Sequence, residues 1–96
     1  MNVAPVNHLF WEHRHTDLWI AHSSRAHHRY VIVEHPNGAF SLLDHRFLGH
    51  TRAPLTARRQ DWIKTLDQAK VLAQGWETEY WTEQAPAHNP LRKVRR

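Results

Sequence analysis

Hydrophobic and polar positions alternate with a period of two over the first half of the chain and switch to helical spacing near its end. Leu9 to His15 places Leu9, Trp11, His13 and His15 on one side and Phe10, Glu12 and Arg14 on the other, which predicts a strand. Thr16-Asp17 is a polar break suited to a tight turn. Leu18 to His22 follows as a second strand, with Leu18, Ile20 and His22 on one face and Trp19 and Ala21 on the other. After a polar loop from Ser23 to His28, Arg29 to His35 carries the β-formers Tyr30, Val31, Ile32 and Val33. His35-Pro36-Asn37-Gly38 offers the positive-φ residues of a hairpin turn, and Ala39 to Asp44 returns as a fourth strand with Phe40 and Leu42 on one face. Phe47 to Thr51 reads as a short strand or a crossing over one end of the sheet. Arg52 to Gln60 contains a proline and shows no period, so it reads as a loop, with Pro54-Leu55-Thr56 opening one helical turn toward Trp62.

Thr65 with Gln68 three residues later matches a capping box. Leu66, Ala69, Leu72, Ala73, Trp76 and Tyr80 then recur at three- and four-residue steps as one apolar stripe. Asp67 lies in the first turn, where the helix dipole favours an acid. Gly75 either ends this helix or lets it pack closely; because Trp76 and Tyr80 keep the stripe, the helix is expected over 65–82, stopped by Ala85-Pro86. Leu66, Ala69, Leu72 and Trp76 are the expected core residues.

The order predicts an α+β fold: a three- to four-stranded antiparallel meander packed on one C-terminal amphipathic helix. A single ββββα domain spans 8–84, with an N-terminal extension over 1–7 and a basic, disordered tail over 85–96. The helix covers one sheet face. The other has no cover within the chain, so it is polar or meets a partner, and a homodimer through that face or an edge strand is one way to fill it.

Composition narrows the function classes. The chain has no cysteine, which excludes disulfide staples, thiolate metal sites and cysteine nucleophiles. The start, Met-Asn-Val-Ala-Pro, has neither a basic n-region nor an apolar h-region, and no stretch reaches the ~20 apolar residues of a membrane span. Cytoplasmic localisation, with no membrane partner, is the expectation. Of thirteen Lys and Arg, four (Arg92, Lys93, Arg95 and Arg96) lie in a tail without acids, and the other nine are balanced by nine Asp and Glu. The formal charge of +4 therefore belongs to the tail.

The ten histidines invite a metal reading, but His13/His15, His27-His28 and His45/His50 follow no metal-ligand spacing. No metal or other cofactor is expected. Neither a G-x-S-x-G elbow nor a glycine-rich phosphate loop is present, so a non-enzymatic protein is expected. Two binding readings remain. In the first, Trp11 and Trp19 face away from the helix and, with His13 and Arg14, form a protein interface. In the second, Arg52, Arg58 and Arg59, in the loop before the helix, join Arg92, Lys93, Arg95 and Arg96 in tracking nucleic-acid phosphates.

The succession Trp11-Glu12, Trp19-x-Ala21, Tyr30-x-Ile32, Asn37-Gly38-x-Phe40-x-Leu42 and Thr65-Leu66-Asp67-x-Ala69-Lys70-x-x-Ala73 with Trp76 resembles small uncharacterised proteins of actinobacterial phages and prophages. The resemblance covers about residues 9–81, and its motifs encode a turn, a helix cap and a helix–sheet contact. It implies an accessory protein that acts in the cytoplasm of a bacterial host by binding a host macromolecule, most often a protein. The arm-type DNA-binding domain of phage integrases is similar in shape, three strands plus a helix. Its DNA-reading sheet is the alternative that this chain, poor in strand Lys and Arg, departs from.

Overall fold

The computed structural model of the chain describes residues 8–47 and 54–84. These residues form one antiparallel sheet of five strands in sequence order: β1 (Glu12–His15), β2 (Leu18–His22), β3 (His28–Glu34), β4 (Phe40–Arg46) and β5 (Leu55–Ile63). A single helix, α1 (Leu66–Gln84), follows. The α+β meander-and-helix arrangement is as expected, with one strand more. Residues 55–60, part of the stretch expected as a loop, supply most of β5 instead. That strand lies at the sheet edge, exposed at nearly every position, so no buried face imposes alternation on it. The expected extension over 1–7, the stretch 48–51 and the tail over 85–96 lie outside the described residues.

The β3–β4 hairpin turns where the sequence places it. Gly38 adopts φ +89°, the His35 N–H donates to the Ala39 carbonyl at 2.8 Å, and Asn37 Oδ1 accepts from the Ala39 N–H at 2.9 Å. At the helix start the Gln68 N–H donates to Thr65 Oγ1 at 3.1 Å, satisfying one of the free donors of the first turn. Gly75 does not end the helix, and open space surrounds the position its Cβ would take. Close packing is therefore not its reason.

Cross-strand register sorts the residues by face. Trp19, Ala21, Tyr30, Ile32, Phe40 and Leu42 point toward α1, where Ile63, Ala69, Ala73 and Trp76 complete the core. On the other face Leu18, Ile20, Val31, Val33 and Leu43 make an apolar band. Ile20 and Val31, at its centre, are buried with no described element lying over them, while Leu18, Val33 and Leu43 are half-buried. His22, Arg29 and His45 pair across the strands at one end of this band. There the Arg29 guanidinium lies 4.6 Å from the Phe47 ring centre. Burial, reinforced by the Arg29 charge, holds His45 below the usual histidine range.

Trp11 and Trp19, which read singly as core and together as an interface on the uncovered face, do not lie on that face. Trp11 and Trp19 are half-buried and pack against the core on the helix side, because the β2–β3 register sets Trp19 beside Ile32. Trp11 precedes β1, which begins at Glu12 rather than Leu9. The Leu9 N–H donates to the Gln74 side chain at 3.0 Å and ties this entry segment to the helix.

Candidate functional site

The edge strand β5 ends in a bulge. Phe40 pairs with Ile63 and Leu42 with Gln60, so Asp61 and Trp62 together stand opposite Ser41 alone. Trp62 takes φ +61°, the left-handed region that normally falls to glycine in such a bulge. The ring gains little burial there, since the residue is 77% exposed. An aromatic side chain in left-handed backbone costs about 1–2 kcal/mol, and backbone strain of this kind clusters at functional positions.

Beside Trp62, on the sheet face away from the helix, lies a cleft of about 460 Å³ walled by the β3–β4 turn, Ser41, Arg59 and Asp61. That is within the size range of ligand pockets. A chain of polar contacts shapes it. Ser41, buried, donates its hydroxyl to Asp61 Oδ1 at 2.6 Å, and His35 Nε2 lies 2.7 Å from the same hydroxyl. The Ser41 hydrogen bond, then the Arg59 guanidinium, hold the Asp61 carboxyl below the usual carboxylate range. The ionised carboxylate only accepts, so the serine proton points to Asp61 and His35 Nε2–H donates to Ser41. Serine thus stands between histidine and aspartate. In the Ser-His-Asp relay histidine stands in the middle, so the order of these three groups is not that of the relay. Arg59 Nε contacts both Asp61 oxygens, at 3.0 and 3.1 Å, and its terminal nitrogens make no hydrogen bond among the described residues.

On the helix side of Trp62 runs an open groove of about 700 Å³ between the end of β5 and the first turns of α1, with Ile63, Lys64, Val71 and Leu72 along it. Val71 is 71% exposed. Trp62 is the wall shared by both depressions.

A second polar constellation joins the β2–β3 loop, β3, β4 and α1. Glu77, fully buried, accepts from Ser23 Oγ at 2.7 Å, the Ser24 N–H at 3.0 Å, the Ser24 hydroxyl, and Tyr30 Oη at 2.9 Å. Arg25 reaches Tyr30 Oη at 3.0 Å and Asp44 at 2.7 Å, and Asp44 also meets His28 Nδ1 at 2.9 Å. Trp81 Nε1 donates to Ser24 Oγ at 2.8 Å. Burial pushes Glu77 upward, but the hydrogen bonds from Ser24, Ser23 and Tyr30 outweigh it and hold the carboxyl below its usual range. Each acid of this group is matched by donors on the protein. It pins the 23–28 loop to the helix and presents no unmatched group to a ligand.

Of the sequence-derived candidates, the structure brings His13 and Trp19 together and separates Arg58 from Arg59. His13 stacks on Trp19 with ring centres 4.6 Å apart, and Arg14 pairs with Glu12 at 3.0 Å. Arg58 and Arg59 are not a loop cluster but strand neighbours on opposite faces. Arg58 pairs with Glu79 at 2.8 Å and lies 4.4 Å from the Trp76 ring centre, while Arg59 pairs with Asp61. Arg52, Arg92, Lys93, Arg95 and Arg96 lie outside the described residues. Among the described residues no group of three or more His, Asp or Glu is placed to hold a metal ion. No described helix is long and apolar enough to cross a membrane.

Sequence reasoning missed Trp62. Its one sequence signal is position, three residues before the helix-capping Thr65 and beside the charged run Arg58-Arg59-Gln60-Asp61. Comparison with protein-family models, curated proteins and solved structures finds no match.

Proposed function

We propose that this chain is a non-enzymatic accessory protein of phage type that binds a host protein, with Trp62 as the anchor of the interface. The observation that supports this reading is the combination at Trp62. A large aromatic side chain is kept in glycine-type backbone and in solvent, between two depressions, with no return to the fold. Tryptophan is the side chain most enriched among residues that dominate binding energy, and Val71 extends its apolar surface. This moves the interface from Trp11 and Trp19, which serve the core, to the end of β5.

The test uses the full chain and its Trp62→Gly variant as paired baits against host lysate. Partners are then purified and titrated against both by calorimetry. At least one purified protein should bind the native chain directly and lose roughly 2 kcal/mol or more with the variant, the size of a hot-spot loss. Equal affinity for both baits across every recovered partner removes Trp62 from the interface. Retention of DNA instead, unaffected by Trp62→Gly, returns the nucleic-acid reading.

A further inference from the structure

We propose that the row His22–Arg29–His45, on the sheet face away from the helix, binds a doubly charged oxyanion of phosphate-monoester type. The row lies at the end of the β3–β4 hairpin remote from the 460 Å³ cleft, so it goes beyond the Trp62 reading and stands without it. Register builds it: His22 of β2 pairs with Arg29 of β3, and Arg29 pairs with His45 of β4. Neighbouring strands lie ~4.8 Å apart, which sets three nitrogen-bearing side chains on one face within about 10 Å. His22 is exposed, and Arg29 and His45 are half-buried.

Arg29 is a cation without a counter-charge. Arg14, Arg25, Arg58 and Arg59 each pair with a carboxylate, whereas the Arg29 side chain makes neither an ion pair nor a hydrogen bond among the described residues. Its guanidinium lies 4.6 Å from the Phe47 ring centre, which fixes its position. Residues 1–7, 48–53 and 85–96 contain no Asp or Glu that could serve it. Asp44, next to His45 in sequence, points to the helix side and is engaged by Arg25 and His28, and Thr56, opposite His45 on β5, carries no charge. Two nitrogens of the row, Arg29 Nε and His45 Nδ1, are shut off from solvent with no hydrogen-bond partner. Native folds leave few such atoms, and a bound ion is one thing that accounts for them. An anion supplies both the acceptor and the negative charge that the row lacks.

Geometry selects the ligand. The terminal nitrogens of Arg29 form a fork for two oxygens, leaving a third oxygen for the flanking histidines. A phosphate monoester offers three terminal oxygens and nearly two charges, a carboxylate only two oxygens and one charge. A phosphodiester is no better than the carboxylate, and a duplex is held by several phosphate contacts at once, so a single row does not retain nucleic acid. Binding is coupled to a proton. Burial and the Arg29 charge hold His45 below the usual histidine range in the free chain, and a bound anion offsets that charge. The complex therefore takes up a proton at His45, and affinity rises as pH falls.

The test is NMR of the histidine rings in isotope-labelled full chain, titrated with sodium sulfate at an ionic strength held constant by chloride, at pH 7.5 and pH 5.5. Sulfate is doubly charged at both. The His22 and His45 ring signals should shift and saturate at a concentration at least about fivefold lower than with acetate, and the sulfate Kd should fall at least about threefold at the lower pH. Arg29→Gln should abolish saturation and move the His45 titration up toward the ordinary histidine value. Arg29→Lys, which keeps the charge but not the fork, should bind more weakly than the native chain. Ring shifts that chloride reproduces, that survive Arg29→Gln, or that spare His22 and His45 overturn the site. A His45 titration unmoved by Arg29→Gln, acetate as tight as sulfate, or a Kd equal at the two pH values overturns it as well. Inorganic phosphate and phenyl phosphate then distinguish the source: tighter phenyl phosphate assigns the row to a phosphorylated molecule, tighter inorganic phosphate to the free ion.

Discussion

At position 62 a tryptophan occupies backbone that favours glycine, and because the residue is 77% exposed its removal forfeits little burial. Trp62→Gly relieves about 1–2 kcal/mol of left-handed strain and returns roughly 0.5–1 kcal/mol of chain entropy to the unfolded state. The variant should therefore be as stable as the native chain or up to ~1 kcal/mol more stable in urea unfolding. A loss above ~1 kcal/mol would mean the ring packs against the fold. Trp76 is the contrast. At 7% exposure in the core, under the Arg58 guanidinium, its replacement by alanine should cost about 3–5 kcal/mol in the same measurement. The helical stripe announced Trp76 in the sequence. Trp62 was hidden because a bulge adds one residue to its strand, so no fixed period runs through it, and backbone sign is not written in side-chain identity. Trp11 and Trp19 misled for a related reason: alternation divides residues between two faces but does not say which face the helix will cover.

The elements most legible in the chain are those whose local chemistry and tertiary burial agree. The Asn37-Gly38 hairpin and the Thr65-capped helix satisfy both, and their bounds fall within a few residues of expectation. β5 satisfies neither, since an exposed edge strand keeps polar residues on both faces and takes its shape from pairing with β4. Gly75 is a local cost with no packing return, so Gly75→Ala should raise stability by about 1 kcal/mol, read as an upward shift in the urea midpoint at unchanged m-value. Glu77 is invisible to periodicity because it sits beside the apolar stripe, yet it holds the 23–25 loop to α1. Its folded carboxyl titrates below the ordinary 4.5, so its contribution is complete above that value and is lost as pH falls through the lower, folded value. Glu77→Gln keeps the shape but replaces one of the two accepting oxygens with an NH2, so the donors on that oxygen, such as the Ser24 N–H, lose their acceptor. We expect a loss of about 2 kcal/mol at pH 7 and a shallower decline of stability below pH 4.5 than in the native chain. A variant whose acid decline matches the native one would show that Glu77 titrates alike in both states.

For the molecule as a whole, the sheet separates two environments. The helix side holds the core. On the other side Ile20 and Val31 are buried although no described element lies over them. The candidate site on that side moves to the rim, where the 460 Å³ cleft and β5 meet. That shift was beyond the sequence, because face assignment depends on register and register on pairing. The charge distribution was fully legible, and it yields a prediction at this scale. All of the +4 formal charge resides in residues 88–96, and Arg58 and Arg59 in the folded part are each matched by a carboxylate. Four tail cations can release at most about four counterions, so log affinity of the full chain for duplex DNA should fall with log salt at a slope no steeper than about −3.6. Truncation after residue 87 should abolish that binding, since the remaining nine Lys and Arg are balanced by nine Asp and Glu. Fluorescence anisotropy on a labelled duplex at several salt concentrations measures both quantities. DNA binding that survives the truncation with a steep slope would place phosphate contacts on the sheet and displace the protein-binding reading.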